Sequence, residues 1–374
     1  MSKVIGIDLG TTFSAIASLD DLGNPEVLAS LEDNRKITAS AIYIDGKNVI
    51  VGDRALSYIK NEPNKVVLQT KREMENDVVY SVNDGKWVGD KDLVDSYTPA
   101  QVSSLILKKL KDYTTDVKQV VITVPAMFAE KARQATLDAA KLADLEVIEL
   151  INEPTAAVLH YASLPGVEVG GRVMIFDLGG GTFDVTFAEV KNKKVDVLTS
   201  RGDKYLGGRD FDKEITKLMK IKYHDVHKVD IDIENKKEYL QKAEEVKKIL
   251  SVKNKASISI DGPKGPQQIE ITLEEFEESI QTYIEKIKML IEEAMEASGM
   301  KPSRINQTLL VGGSTRIPLI TKVLTNIMGK PPVKGVNVDE AVVTVTVDKE
   351  FTLILAISIA LSHPFAFTVV TVIG

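Results

Sequence analysis

The strongest constraint on the fold of this chain is a motif used twice. Ile7-Asp8-Leu9-Gly10-Thr11-Thr12-Phe13-Ser14 returns as Phe176-Asp177-Leu178-Gly179-Gly180-Gly181-Thr182-Phe183-Asp184, with Asp8 and Asp177 169 residues apart. In each copy an apolar stretch runs into an Asp, a Gly/Thr turn follows, and a second apolar stretch begins. The separation far exceeds the roughly 20–50 residues of a solenoid repeat. It suits one strand–turn–strand unit placed once in each of two lobes, residues 1–166 and 167–342.

Glycines let such a turn take unusual backbone angles and let a ligand approach the main chain. Successive turn amides then point into one concavity, which suits phosphate oxygens. The hydroxyls of Thr11, Thr12 and Thr182 add donors. Asp8 and Asp177 repel phosphate, but they can hold a hydrated Mg²⁺ that bridges phosphates. A lone Asp-x-Gly-Thr is a common hairpin turn; two copies in the same strand context read as a clamp on a polyphosphate. The device differs from a P-loop, whose G-x-x-x-x-G-K-[ST] pattern does not occur. A third Gly pair follows an apolar run in Leu309-Leu310-Val311-Gly312-Gly313-Ser314-Thr315-Arg316-Ile317-Pro318. There the backbone can approach a flat base or ribose, and Arg316 can stack on a purine.

The rest of the chain reads as alternating strands and helices, hence an α/β fold. Val4–Ile7, Ile42–Ile44, Val120–Val124, Val173–Phe176, Val185–Val190 and Leu309–Val311 are predicted strands. Thr98–Tyr113, Ala129–Leu142, Asp210–Lys222, a charged Glu234–Leu250 and a long Leu273–Ser298 are predicted helices. The last opens on a Thr272/Glu275 capping box and stops at Gly299. Gly262–Pro266 is a turn between two short strands.

A 374-residue chain with 44% hydrophobic and 27% charged residues is globular rather than disordered. The absence of Cys excludes disulfides, zinc–thiolate sites and thiol nucleophiles. A net charge of −7 argues against nucleic acid as the main partner. No apolar leader follows Met1, so a cytoplasmic protein is expected. His224-x-x-His227 has helical spacing without clear carboxylate support, and Asp230-x-Asp232-x-Glu234 lacks the Gly and final Glu of an EF-hand loop.

IGIDLGTT, INEPTAA (Ile151–Ala157), IFDLGGGTFDV (Ile175–Val185), GDKYLGGRDFD (Gly202–Asp212) and VGGSTRIP (Val311–Pro318) occur in this order. As a set they resemble the ATPase domain of DnaK-type seventy-kilodalton heat-shock chaperones, over about residues 3–342. Sugar kinases and actin-like filament proteins share the two hairpins but not the whole set. The resemblance implies an actin-like fold of two lobes, each with an inner and an outer subdomain, and ATP or ADP at the bottom of the cleft. It implies that Gly10, Thr11, Thr12, Gly179, Gly180, Gly181 and Thr182 touch the phosphates. Asp8, Glu153 and Asp177 would organise Mg²⁺ and water, with Asp184 helping to hold a monovalent cation such as K⁺. Lys71 matches the catalytic lysine; Glu153, Asp177 and Thr182 complete the catalytic group. The adenosine side would use Glu244, Lys247, Lys248 and Ser251, then Gly312, Gly313, Ser314, Arg316 and Ile317, with Asp339 nearby. Positions 244, 247, 248 and 251 share one helix face. Pro125 and Arg133 match residues that relay nucleotide state to a partner domain, and a nucleotide-exchange factor is an implied partner.

Three departures stand out. Lys248 replaces a common Arg, which stacks better on adenine. Glu149 stands where the family commonly has an Arg that contacts J-domain co-chaperones, so that docking is disfavoured. After Asp339-Glu340-Ala341-Val342 the family's closing helix, linker and peptide-binding domain are not recognisable. Phe351–Ile373 is instead an uncharged run of 23 residues apart from His363, long enough to span a bilayer. Its Pro, Thr and β-branched content favours buried β-structure, or a replacement helix and strand, over a membrane span; an aberrant terminus is a further reading. A small-molecule kinase and a polymerising actin-like ATPase are the alternative functions on this fold.

Overall fold

The computed structural model describes residues 3–20, 25–89, 93–115, 117–163, 171–191, 194–234 and 236–333. Asp339 and the apolar tail therefore lie outside the described residues. The architecture is α/β, built around two principal sheets.

In the first sheet the order is Glu146–Asn152, Val117–Val124, Lys3–Asp8, Phe13–Leu19, Pro25–Val27. Lys3–Asp8 pairs parallel with Val117–Val124 and antiparallel with Phe13–Leu19. The second sheet runs Lys194–Asp203, Phe183–Lys191, Gly171–Leu178, Gln307–Val311. Gly171–Leu178 again has an antiparallel hairpin partner on one side and a parallel strand on the other. The twice-used motif therefore occupies equivalent places in the two sheets. β-branched and aromatic residues give both sheets their cores: Ile5, Ile7 and Ile16 are buried in one, Phe176, Phe183 and Phe187 in the other. The helix Glu153–Ser163 joins them. Its Ala156, Ala157 and Tyr161 pack with Val121 of the first sheet and with Val173, Ile175 and Leu309 of the second. Tyr161 donates to the Leu310 carbonyl oxygen at 3.0 Å.

The helices start where side chains satisfy free amides. Thr98 and Gln101 form a full capping box for Pro99–Lys111, as do Thr272 and Glu275 for Leu273–Ser279. The single helix expected over Leu273–Ser298 is two, Leu273–Ser279 and Gln281–Ser298, broken at Ile280 with ψ near 5°. Phe276, Ile280 and Ile284 are all buried, so the break keeps one apolar stripe on the core as the axis changes. No Gly or Pro marks it in the sequence. Gly299 ends the second helix at φ 64°. The charged helix begins at Lys237 rather than Glu234, and Asp210–Lys222 extends to Gly208–His227, ended by left-handed Lys228. Lys255–Gly262 and Gly265–Thr272 form the expected hairpin. No helix among the described residues is long and apolar enough to cross a membrane.

Candidate functional site

The two motif turns meet. In the first, Ser40 braces the loop from behind: its hydroxyl donates to the Gly10 carbonyl at 2.8 Å and its amide donates to the Thr12 carbonyl at 2.8 Å. A Cβ on Gly10 would lie 2.0 Å from the Phe13 carbonyl oxygen, so the turn closes only with Gly. The second turn is held from several directions. The Gly179 carbonyl accepts from the Gly208 amide at 3.0 Å and the Ser314 hydroxyl at 2.9 Å. The Gly180 carbonyl accepts from the Arg209 amide at 2.8 Å, and the Gly181 carbonyl from Arg72 Nε at 2.7 Å. Across the junction, a Cβ on Gly180 would lie 1.9 Å from Thr12 Oγ1, and one on Gly181 2.3 Å from Thr11 Cγ2. Gly312, at φ 83°, backs onto the Leu178 carbonyl in the same close-packed way.

A cavity of about 830 Å³ opens beside this junction. Asp8, Lys71, Glu153 and Asp177 share its wall with Gly10, Thr11, Thr12, Gly179, Gly180 and Thr182. Lys71, expected from sequence only by resemblance, is 8% exposed, and its ammonium donates to Glu153 Oε1 at 2.5 Å. Burial alone would lower the Lys71 pKa, but the carboxylates of Glu153, Asp8 and Asp177 outweigh it and hold the lysine above its ordinary value. Asp8 is pushed up to about 6, chiefly by burial, with Lys71 and a hydrogen bond from Thr123 acting the other way. Asp177 is pushed well above the carboxylate range by burial and by Glu153, and Asp184 by burial and by Asp177.

The opposite wall is the helix Lys237–Leu250. Glu244, Lys247, Lys248 and Ser251 line the cavity together, as their spacing predicts, facing Gly312, Gly313, Ser314, Arg316 and Ile317. Several are already engaged. Lys247 contacts Asp212 at 2.8 Å and donates to the Gly208 carbonyl at 2.9 Å. Lys248 pairs with Glu244 at 2.8 Å and stands 5.5 Å from the centre of the Phe13 ring. Ser251 donates to the Lys247 carbonyl.

Two expected residues are off the wall. Gly181 is covered by Thr11, and Asp184 is buried behind Asp177 with its Oδ1 lacking a hydrogen-bond partner. Among the described residues no three Asp, Glu, His or Cys form a group that could ligate one metal ion directly. Mg²⁺ commonly retains several waters and takes only one or two carboxylates directly. The donor set fits such an ion. Asp8, Glu153, Asp177 and Asp184 outnumber Lys71, the Asp184 Oδ1 has no hydrogen-bond partner, and burial disfavours the ionised forms of Asp177 and Asp184, as expected of carboxylates grouped without a cation.

Sequence reasoning missed four contributors. Ser40 and Thr123 carry no motif. Arg72 and Lys237 are charged residues whose burial depends on which distant element meets them. Lys237 Nζ reaches the carbonyls of Pro63 and Val66 at 2.7 and 2.8 Å and the Tyr80 hydroxyl at 2.7 Å. This ties the charged helix to strands of the N-terminal half, and burial with nearby Arg209 pushes the lysine down to about 8.

A comparison with known families decides the identity of this arrangement: the model of the family described as Hsp70 protein matches residues 4–346. The chain belongs to the Hsp70 family. The matched region is the ATP-binding and ATP-hydrolysing domain of a DnaK-type chaperone. The family match covers both hairpins, the Lys71 turn and the helix Lys237–Leu250, so one domain type accounts for all walls of the cavity.

Proposed function

We propose that the cavity binds Mg·ATP with its triphosphate against the two turns and its adenosine between Lys237–Leu250 and Gly312–Ile317. The observation that carries this reading is the buried Lys71–Glu153 pair at the junction of the hairpins, on a wall shared with Asp8 and Asp177. An ammonium fixed there offsets charge developing on the γ-phosphate and orients an attacking water. Glu153 holds the ammonium in place and accepts from that water's hydrogen-bond chain. Thr182 and the turn amides orient the phosphates. Mg²⁺, held through water by Asp8, Glu153 and Asp177, would neutralise phosphate charge, and Asp184 would serve a monovalent cation such as K⁺.

In this reading the two sheets are the inner parts of two lobes, residues 1–166 and 167–342, in an actin-like arrangement with smaller outer subdomains. The helix Glu153–Ser163 is the shared floor across which the lobes turn. Pro125, at the end of strand Val117–Val124, and Arg133, which donates to Asn152 Oδ1 at 2.7 Å, relay the nucleotide state. A nucleotide-exchange factor would be a partner of the nucleotide-bound domain. Glu149 is half-buried on an edge strand, and its carboxylate disfavours the acidic J-domain contact.

The test is Lys71→Ala in single-turnover ATP hydrolysis, with affinity measured by calorimetry. Hydrolysis is expected to fall by roughly 100-fold or more with ATP affinity little changed, because the charge acts mainly on the transition state. Turnover near that of the unmodified chain would refute the assignment.

A further inference from the structure

Beside Lys71 stands a second buried cation that makes no contact with the cavity. Arg72 is 8% exposed and lies on the same four-residue turn, Thr70–Glu73, but its side chain runs the other way. Its Nε donates to the Gly181 carbonyl at 2.7 Å, and its Nη2 to Asp210 Oδ2 at 2.5 Å. Asp210 is also buried, and the same oxygen accepts the Gly207 amide at 3.0 Å, at the start of the helix Gly208–His227. One guanidinium therefore binds both the turn that abuts Thr11 and the helix start whose Gly208 amide supports Gly179.

Neighbouring contacts run in parallel. Glu75 pairs with Lys204 at 2.6 Å, and Asn76 donates to the Tyr205 hydroxyl at 3.1 Å. The segment 72–76 is thus laid along 204–210. The Glu75–Lys204 pair is about one-third exposed on each side, and such pairs hold geometry weakly. The Arg72–Asp210 pair, at 7% exposure on each side, is the contact that fixes position. Its planar fork satisfies two acceptors in different elements at once, which a lysine cannot reproduce.

We propose that Arg72 is a positioning residue for hydrolysis: it locks the turn carrying Lys71 to the second hairpin, and so sets where the Lys71 ammonium stands relative to the phosphates. This rests on the assignment of Lys71 given above. Arg72 itself touches no substrate. Its loss lets the Thr70–Glu73 turn, entered through a left-handed Gln69 at φ 61°, shift against Gly181. A displacement near 1 Å in a catalytic group costs on the order of 100-fold in rate.

The experiment compares the unmodified chain, Arg72→Met, Arg72→Lys, Asp210→Asn and Glu75→Ala by single-turnover hydrolysis and by ATP calorimetry. Arg72→Met should lose on the order of 100-fold in rate while its ATP Kd changes less than about 3-fold. Arg72→Lys should recover part of the rate, and Glu75→Ala should behave as the unmodified chain. Asp210→Asn keeps shape and one acceptor, so it should fall between; it also serves if Arg72→Met does not fold. A rate within about 3-fold of the unmodified chain in both Arg72→Met and Asp210→Asn overturns the proposal, as does a parallel loss of rate and affinity. If Arg72→Met slows and Lys71→Ala does not, the Lys71 assignment fails instead. The proposal then falls with it.

Discussion

The two hairpins share a motif, a place in their sheets and a tight turn, yet their aspartates, both pushed up by burial, sit in unequal electrostatic settings. Asp8 lies across from Ala15 on the hairpin and beside Thr123 on the parallel strand, and Thr123 donates to it at 3.0 Å. Asp177 lies across from a second carboxylate, Asp184, and beside Val311, which offers no donor. The first aspartate is held near 6, whereas both carboxylates of the second hairpin are driven well above their ordinary range. Their bracing differs as well. Ser40 supports the first turn, while Gly208, Arg209, Ser314 and Arg72 converge on the carbonyls of the second. The motif is thus repeated but its surroundings are not: the first turn carries the hydroxyls of Thr11 and Thr12 and an aspartate with a hydrogen-bond donor, the second carries three glycines, Thr182 and two facing carboxyls.

The largest expected effect comes from breaking the contact between them. Gly181→Ala places a Cβ 2.3 Å from Thr11 Cγ2, among backbone that other elements hold fixed, so the turns must separate. Overpacking of this kind costs about 2–3 kcal/mol, and where that cost falls on the geometry of the phosphate turns it corresponds to roughly 30- to 140-fold in ATP affinity. Gly89→Ala, with nothing within 4 Å of the added carbon, is the control. Calorimetry giving the same Kd for both variants would mean that the hairpin junction plays no part in binding.

A smaller effect separates the two charge settings. Asp184→Asn removes a buried carboxyl whose Oδ1 has no partner and whose ionisation is opposed by burial and by Asp177. The ligand-free protein should gain about 0.5–2 kcal/mol, the range common when a destabilising functional group is replaced. The stabilisation that Mg·ATP adds should shrink, because the cation loses one of its counter-charges. Thermal unfolding with and without Mg·ATP checks both signs. A lower melting temperature for the ligand-free variant would show that Asp184 is structural rather than held in strain for a cation.

Much of this was legible in the residues. The repeated Asp-Gly-Thr unit gave the two sheets, and the Thr272/Glu275 box and Gly299 gave helix ends, because strands, turns and caps are set by neighbours in sequence. The Glu244–Ser251 face was legible for the same reason: helical spacing alone puts those residues on one wall. What stayed hidden depends on distant elements meeting. Lys71 and Arg72 are adjacent, yet one faces Glu153 and the other faces Asp210, through a turn that no Gly or Pro announces. Thr123 became a site residue only because its strand registers against Asp8, and Ser40 because the strand Thr38–Ala39 just before it pairs with the hairpin. The break at Ile280 leaves Phe276, Ile280 and Ile284 all buried, so an unbroken apolar stripe in the sequence does not reveal it.

The smallest effect tests Thr123 as the source of the difference between the aspartates. Thr123→Val keeps the shape and removes the hydrogen bond to Asp8, making that setting resemble the one beside Val311. Because burial lifts Asp8 from 3.8 to about 6, the folded chain holds this proton more tightly than the unfolded chain does. The group's contribution to stability is therefore complete below about 3.8 and is lost as pH rises to about 6, without metal or nucleotide. Without the Thr123 donor the ionised form is less favoured, the folded value moves higher, and the loss continues above pH 6. The two proteins should melt alike near pH 4.5 and diverge by about 1 kcal/mol, a typical net hydrogen-bond contribution, as pH approaches 7. A melting-temperature gap that is the same at every pH would show that Thr123 packs against Asp8 without tuning it, and the asymmetry would then have to come from the deeper burial of Asp177 and its repulsion by Glu153.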